Sequence, residues 1–202
     1  MQEGVGMIAL RGIVAEDIPF LVPIGKSQLG VDYISDDDFI EAMEDPGQFC
    51  MVSVLDGTPC GFAICREFPP EAEKEELDLP DSPERDWVRS GARVGLLDSV
   101  AISSDVGGRG IGRMLCEACL DRFRDDGCDR AVSMAWVHRD GAEPIRKALR
   151  ESGLERTGLV IEGYWNQWVG SAEGHHCPYC GAPCHCFAAM WRRSLRDVPL
   201  EP

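Results

Sequence analysis

Two groups of residues in this chain have the types and spacing to do chemistry. The first is Gly107-Gly108-Arg109-Gly110-Ile111-Gly112, set between an apolar run, Val94 to Ile102, and an amphipathic segment. A strand, a glycine turn and a helix in that order leave several backbone N–H groups unpaired beside the positive end of a helix dipole. A phosphate-bearing ligand is the natural occupant of such a place. The second group is His175-His176-Cys177-Pro178-Tyr179-Cys180-Gly181-Ala182-Pro183-Cys184-His185-Cys186. Cys-Pro-x-Cys-Gly forms a tight knuckle that aims two thiolates at one point. Cys184 and Cys186, two apart, face one side of an extended chain. Four converging thiolates suit a structural zinc ion, with Cys177, Cys180, Cys184 and Cys186 as ligands. The rival is an iron–sulfur cluster, which uses similar spacings. His175, His176 or His185 is available to replace one sulfur.

Composition narrows what these groups serve. The chain has 202 residues, 44% of them hydrophobic, with a formal net charge of −15. That size suits a single domain spanning 1–202 with a real core. The acidic balance argues against a nucleic-acid backbone as partner and would attract a cationic acceptor. No apolar run approaches the ~20 residues of a membrane span, and Glu3, Arg11, Glu16 and Asp17 interrupt any signal-peptide core. A cytoplasmic protein with reduced thiols is therefore expected, its ten cysteines serving packing and a metal site rather than a disulfide framework.

The elements that must position these groups read as follows. Strands are expected at Ile8 to Ile13, Phe49 to Leu55, Cys60 to Phe68, Val94 to Ile102, Ala131 to Val137, Leu159 to Trp165 and Cys186 to Leu195. Asp56-Gly57 signals a hairpin. Helices are expected from Ala15 to about Leu29, from Asp36 to Met43, after the glycine turn, and from Glu143 to Ser152. Cys116 and Cys119 fall on the core face of the third of these. Residues 69–92, rich in Pro, Glu and Asp, read as an exposed insertion, either a solvated loop or a lid. Residues 170–187 form a cysteine-rich metal loop between the last two strands.

The glycine turn lacks the Lys-Ser/Thr of a Walker A loop, and it lies mid-chain rather than in a first strand–helix unit as in a Rossmann fingerprint. The turn, its preceding Ser99-Val100-Ala101-Ile102 and the element order along nearly the whole chain resemble the GNAT superfamily of N-acetyltransferases. The resemblance implies an α+β fold: a mixed, mostly antiparallel sheet flanked by helices, with the small metal-binding loop added. It implies acetyl-CoA as cosubstrate, its pyrophosphate on the N–H groups of Gly108, Arg109, Gly110, Ile111, Gly112 and Arg113, with Gly107 among the cofactor-binding residues as the first position of the motif. The pantetheine arm would pair with Val100 and Ile102 in a gap between the fourth and fifth strands. Two positions depart from the family pattern. Gly107 stands where Gln or Arg is usual, and Leu149 stands where a tyrosine usually protonates the departing thiolate.

The implied reaction transfers an acetyl group to an amine, of a small molecule or a protein, and needs a proton acceptor for the ammonium. Asp98, charged within an apolar strand, is the first candidate and reads as sharing a face with Leu96, Val100 and Ile102. Tyr164, alternating with Glu162 on the sixth strand, is the substitute acid. His138, just past the fifth strand, is a third candidate. The alternative function is a non-catalytic module that binds CoA or a partner through the metal loop. A homodimer is compatible with either.

Overall fold

The structure is a computed structural model that describes residues 6–196. Glu3, part of the N-terminal charge pattern, lies outside them. Seven strands form one sheet in the order β1-β2-β3-β4-β5-β7-β6. They are β1 (Ile8–Gly12), β2 (Gln48–Leu55), β3 (Thr58–Phe68), β4 (Val94–Ile102), β5 (Arg130–Val137), β6 (Glu155–Glu162) and β7 (Phe187–Ser194). Every neighbouring pair is antiparallel except β4 and β5, which run parallel. The fold is thus α+β, with a mixed and mostly antiparallel sheet.

Local sequence explains most of the boundaries. Asp56 and Gly57 both take positive φ, 49° and 85°, the two-residue turn that matches the twist of β2 and β3. Helix α1 (Ile18–Leu29) follows a 3₁₀ turn over Ala15–Asp17. Helix α2 (Asp36–Glu44) starts where the Asp38 carboxylate accepts from the Ser35 backbone N–H at 2.7 Å. These two helices cover one face of the sheet, with Leu21 and Phe39 packed on Val52 and Phe62.

Residues 69–92 are not a solvated loop. They fold into a 3₁₀ turn (Pro70–Ala72), α3 (Glu73–Glu76) and α4 (Pro83–Arg89), and they bury Leu77, Leu79 and Val88 against β4 and β5. The fully buried Glu73 organises the segment: it accepts from the Leu79 N–H at 2.8 Å and from Arg85 Nε and Arg89 Nε, both at 3.1 Å. Trp87 lies under the guanidinium groups of Arg130 and Arg192. Removing a buried carboxylate that two arginines and a backbone N–H depend on costs about 3 kcal/mol. Glu73→Ala is therefore expected to lower the unfolding free energy by about that much in denaturant titration, with little effect from Glu71→Ala on the exposed side of the same segment.

On the opposite face lie α5 (Ile111–Asp125) and α6 (Arg146–Glu151). Leu115, Cys119, Leu120 and Phe123 of α5 are fully buried there, as amphipathic spacing predicts. Gly95 lets α5 come this close, since a Cβ at that position would sit 2.4 Å from the Phe123 ring. Cys116 and Cys119 are core residues, and burial pushes the Cys116 thiol up to about 12.

Candidate active site

The central feature is a split in the sheet. The β4–β5 ladder runs from Val94↔Arg130 to Leu97↔Ser133 and stops, although both strands continue. Ser133 Oγ donates to the Leu97 carbonyl at 3.0 Å, satisfying the acceptor where the strands part. Beyond that point Ser99 to Ile102 pair only with β3, and Met134 to Val137 only with β7. The gap opens into a cavity of about 430 Å³. Val100, Ile102, Gly112 and Ala148 line it toward α5; Asp98, Trp136, His138, Trp165 and Tyr179 line it elsewhere.

The glycine turn sits beside this cavity. Gly108 and Gly110 take φ of 79° and 78°, a region that glycine occupies without steric penalty. The first intrahelical bond of α5 is Met114 N–H to the Gly110 carbonyl, at 3.1 Å. The N–H groups of Gly108 to Arg113 therefore have no backbone acceptor among the described residues. Six donors at a helix N-terminus form a strong anion site. The Arg113 side chain turns away to Glu117 at 2.8 Å, while that of Arg109 is exposed.

Asp98 occupies a β-bulge. Ile64 pairs with Ser99 and Cys65 with Leu97, so Asp98 is the extra residue on β4. The expected common face therefore fails. Leu96 and Asp98 look toward the α1 side and the 69–92 segment, whereas Val100 and Ile102 pack toward α5. The bulge shifts the alternation by one residue, which carries Asp98 to the far side of the gap. Its carboxylate is half-buried, 3.8 Å from Arg66 Nε and 3.4 Å from Ser99 Oγ. Burial raises its pKa above the ordinary carboxylate value, with Arg66 opposing.

Tyr164 is not on a strand. Strand β6 ends at Glu162, Gly163 takes φ of 67°, and Tyr164–Trp168 form a 3₁₀ turn. The Tyr164 hydroxyl donates to the Leu77 carbonyl at 2.9 Å and so ties this turn to the 69–92 segment. Burial raises its pKa further. Leu149, at the position expected to lack an acid, is fully buried on α6 and offers no proton. His138 stacks on Tyr179, with centroids 4.2 Å apart and planes at 19°, and meets the Trp136 ring edge-on. Its buried Nε2 has no hydrogen-bond partner among the described residues. Arg66, Tyr33, Trp136, Trp165 and Tyr179 were not singled out as site residues from the sequence. Only Tyr179, inside the cysteine knuckle, carried a local signal.

A profile described as the acetyltransferase (GNAT) family matches residues 20–153, two thirds of the chain. The chain belongs to the GNAT acetyltransferase family. Among curated proteins none matches it. Among solved structures, NAA60 from Arabidopsis thaliana in complex with a bisubstrate analogue is similar, with 14% identity and a TM-score of 0.65 over 94% of this chain and 100% of that one. Polyamine N-acetyltransferase from Drosophila melanogaster gives 11% identity and a TM-score of 0.60, covering 93% and 100%. Ard1 from Thermoplasma volcanium gives 16% and 0.60, covering 94% and 99%. At such identities the likeness shows the GNAT fold alone. No helix among the described residues is long and apolar enough to cross a membrane.

The cysteine cluster adds to this GNAT fold four thiols close enough together to hold one metal ion. The sulfurs of Cys177, Cys180, Cys184 and Cys186 lie within 4.8 Å of one another. Three of the separations are 3.7, 3.9 and 4.0 Å. A tetrahedral ion with metal–sulfur bonds of ~2.3 Å sets its sulfurs about 3.8 Å apart. The donor set fits one metal ion. Backbone N–H groups of Tyr179 and Cys180 point at the Cys177 sulfur, at 3.4 and 3.3 Å, and that of His185 at the Cys180 sulfur, at 3.3 Å. The histidines do not replace a sulfur. His175 and His176 direct their Nδ1 atoms to the Asp32 carboxylate, at 3.1 and 3.0 Å, and His185 is exposed. Asn166 braces the loop from inside, its Oδ1 accepting from the N–H groups of His175 and Cys184.

Proposed function

We propose that this protein is an acetyl-CoA-dependent N-acetyltransferase acting on an amine. One observation carries the reading: a row of unpaired N–H groups opens onto a cavity that runs between splayed strands to a half-buried carboxylate. In this reading Gly108 to Arg113 hold the pyrophosphate, with Gly107 leading the chain into the turn. The unpaired edge of β4 at Val100 and Ile102 receives the pantetheine arm as an added strand. The thioester carbonyl then lies near the bulge, where a main-chain N–H can polarise it.

Transfer needs a neutral amine. Asp98 takes the proton of the bound ammonium, its raised pKa bringing it closer to the working range of a base. The nitrogen attacks the carbonyl, a C–N bond forms, and the C–S bond breaks. The second proton shed by nitrogen as the amide forms passes through solvent to the departing thiolate, so the absence of a donor at Leu149 is tolerated. Tyr164 keeps a role at this wall through its bond to Leu77, holding the 69–92 segment in place. The four cysteines hold a structural zinc ion, which supplies cross-linking of the loop and no chemistry in the transfer.

Asp98→Asn is expected to lower kcat/KM by about 10²-fold. The wild-type activity should rise with pH through a limb above the usual carboxylate range, and that limb should vanish in the variant. Stability must move the other way. The folded pKa of Asp98 exceeds its unfolded one, so ionising it weakens the fold at pH above about 4. Asp98→Asn should therefore melt no lower than wild type at neutral pH. A variant that loses activity only because it unfolds would contradict this assignment. Acetyl-CoA-dependent thiol release across an amine panel tests the whole reading; CoA binding without thiol release for any amine would instead favour a non-catalytic module, the outcome that Leu149 makes worth testing.

A further inference from the structure

A second cavity, of about 120 Å³, lies across the sheet from the α5 side, and its wall is shared with the larger one. Tyr33, Asp98, Ser99, Met134 and Trp165 line both. We infer that this smaller cavity is the acceptor site and that it selects an aliphatic diamine or polyamine over a monoamine; the inference rests on the transferase reading above.

Charge is the first argument. Asp38, Glu75, Glu76 and Asp98 line the cavity against a single cation, Arg66. Arg66 stands 3.8 Å from Asp98 and 3.9 Å from Glu76, too far for hydrogen bonds. Neither Glu75 nor Glu76 accepts a hydrogen bond among the described residues. The contrast with Glu73, in the same short helix, is sharp. Its oxygens take three donors and serve the fold, whereas those of its neighbours remain available. Burial raises the pKa of Glu76, Arg66 opposes it, and the carboxylates of Asp98, Asp45 and Glu41 add to the rise, so Arg66 does not fully compensate the negative charge here. A bound cation would relieve it.

Ring chemistry and size are the second argument. Tyr33, Tyr164, Trp165 and Trp168 also line this cavity, and aromatic faces attract ammonium groups. The volume is well below the ~300–1,000 Å³ of drug-sized pockets, which suits a slim methylene chain. Trp165 is only 8% exposed, and its indole N–H has no partner among the described residues. Trp165 belongs to the wall that the two cavities share. One ammonium placed at Asp98 faces the thioester, and a second, a few methylenes away, reaches Glu76 and Glu75.

The test is calorimetric titration of the full-length protein with 1,4-diaminobutane, spermidine and n-butylamine. The diamine should bind at least tenfold more tightly than n-butylamine. Glu76→Gln, which keeps size and shape, should reduce that ratio to near one, while Glu71→Gln should leave it unchanged. Equal binding of mono- and diamine, no diamine binding, or a ratio that survives Glu76→Gln would overturn the inference. Acetyl-CoA turnover on the same panel separates the two readings. Diamine binding without thiol release would keep the cavity assignment and remove the transferase. Turnover of n-butylamine or of a peptide amine in preference to the diamine would keep the transferase and remove the assignment.

Discussion

Replacing Gly112 with aspartate is expected to abolish acetyl-CoA binding while leaving the fold intact. Gly112 lies in the first turn of α5, where its N–H is among the donors that face the proposed pyrophosphate. A Cβ there would stand 3.2 Å from Ile102 Cδ1 and 3.5 Å from Ala148 Cβ, at the lining of the cavity. The added carboxylate would therefore meet the phosphates at short range in a site whose donors are already aimed. An increase in Kd of at least about 100-fold is expected, equivalent to ~2.8 kcal/mol. Gly110→Glu should do the same with an added conformational cost, because Gly110 sits at φ of 78°, where a residue with a Cβ is penalised by ~1–2 kcal/mol. The two variants separate electrostatics from strain: Gly110→Ala tests the second alone and should cost less affinity. Titration calorimetry with CoA reads all three, and unchanged affinity in Gly112→Asp would remove the pyrophosphate from this turn.

The turn was legible in the sequence because everything that defines it is local. Glycines at fixed offsets, an apolar run before and an amphipathic run after suffice to place a strand end and a helix start. The cysteine cluster was legible for the same reason, since its knuckle is set by five consecutive residues, Cys177 to Gly181. Asp98 was legible as a charge in an apolar strand, but its face was not. A bulge is decided by the register between β3 and β4, and no residue of β4 announces it. Residues 69–92 misled for a related reason. Their composition is that of a solvated loop, yet four separated residues, Glu73, Leu77, Leu79 and Val88, carry the burial, and Glu73 is buried only because Arg85 and Arg89 reach it. Tyr164 reads as strand because it continues the alternation of the preceding residues; Gly163 in the left-handed region ends that strand three residues before Trp165.

Loss of the metal should affect the acceptor side of the site more than the cofactor side. Pro178, Tyr179 and His175 line the larger cavity away from the glycine turn. Tyr179 stacks on His138, and Asp32 in the α1–α2 connection grips His175 and the His176 N–H. A loop of this composition has little core of its own, so four bonds from an ion to its sulfurs would take the place of hydrophobic packing. The purified protein should hold about one equivalent of zinc by elemental analysis, with no visible colour, and the four clustered thiols should resist a thiol reagent until a chelator is added. Cys186→Ser, or chelation, should release the ion. A stabilisation of about 3 kcal/mol would then be lost, which for a chain of this length lowers Tm by about 10 °C. CoA affinity should change by less than about threefold, since the pyrophosphate donors belong to α5, while KM for the amine should rise at least tenfold. Iron in place of zinc would be seen as colour and would revise the ion but not the site. A metal-free protein with unaltered melting after Cys186→Ser would show that the four sulfurs converge without a ligand, and the wall formed by Tyr179 would then owe its position to the Asp32 and Asn166 contacts alone.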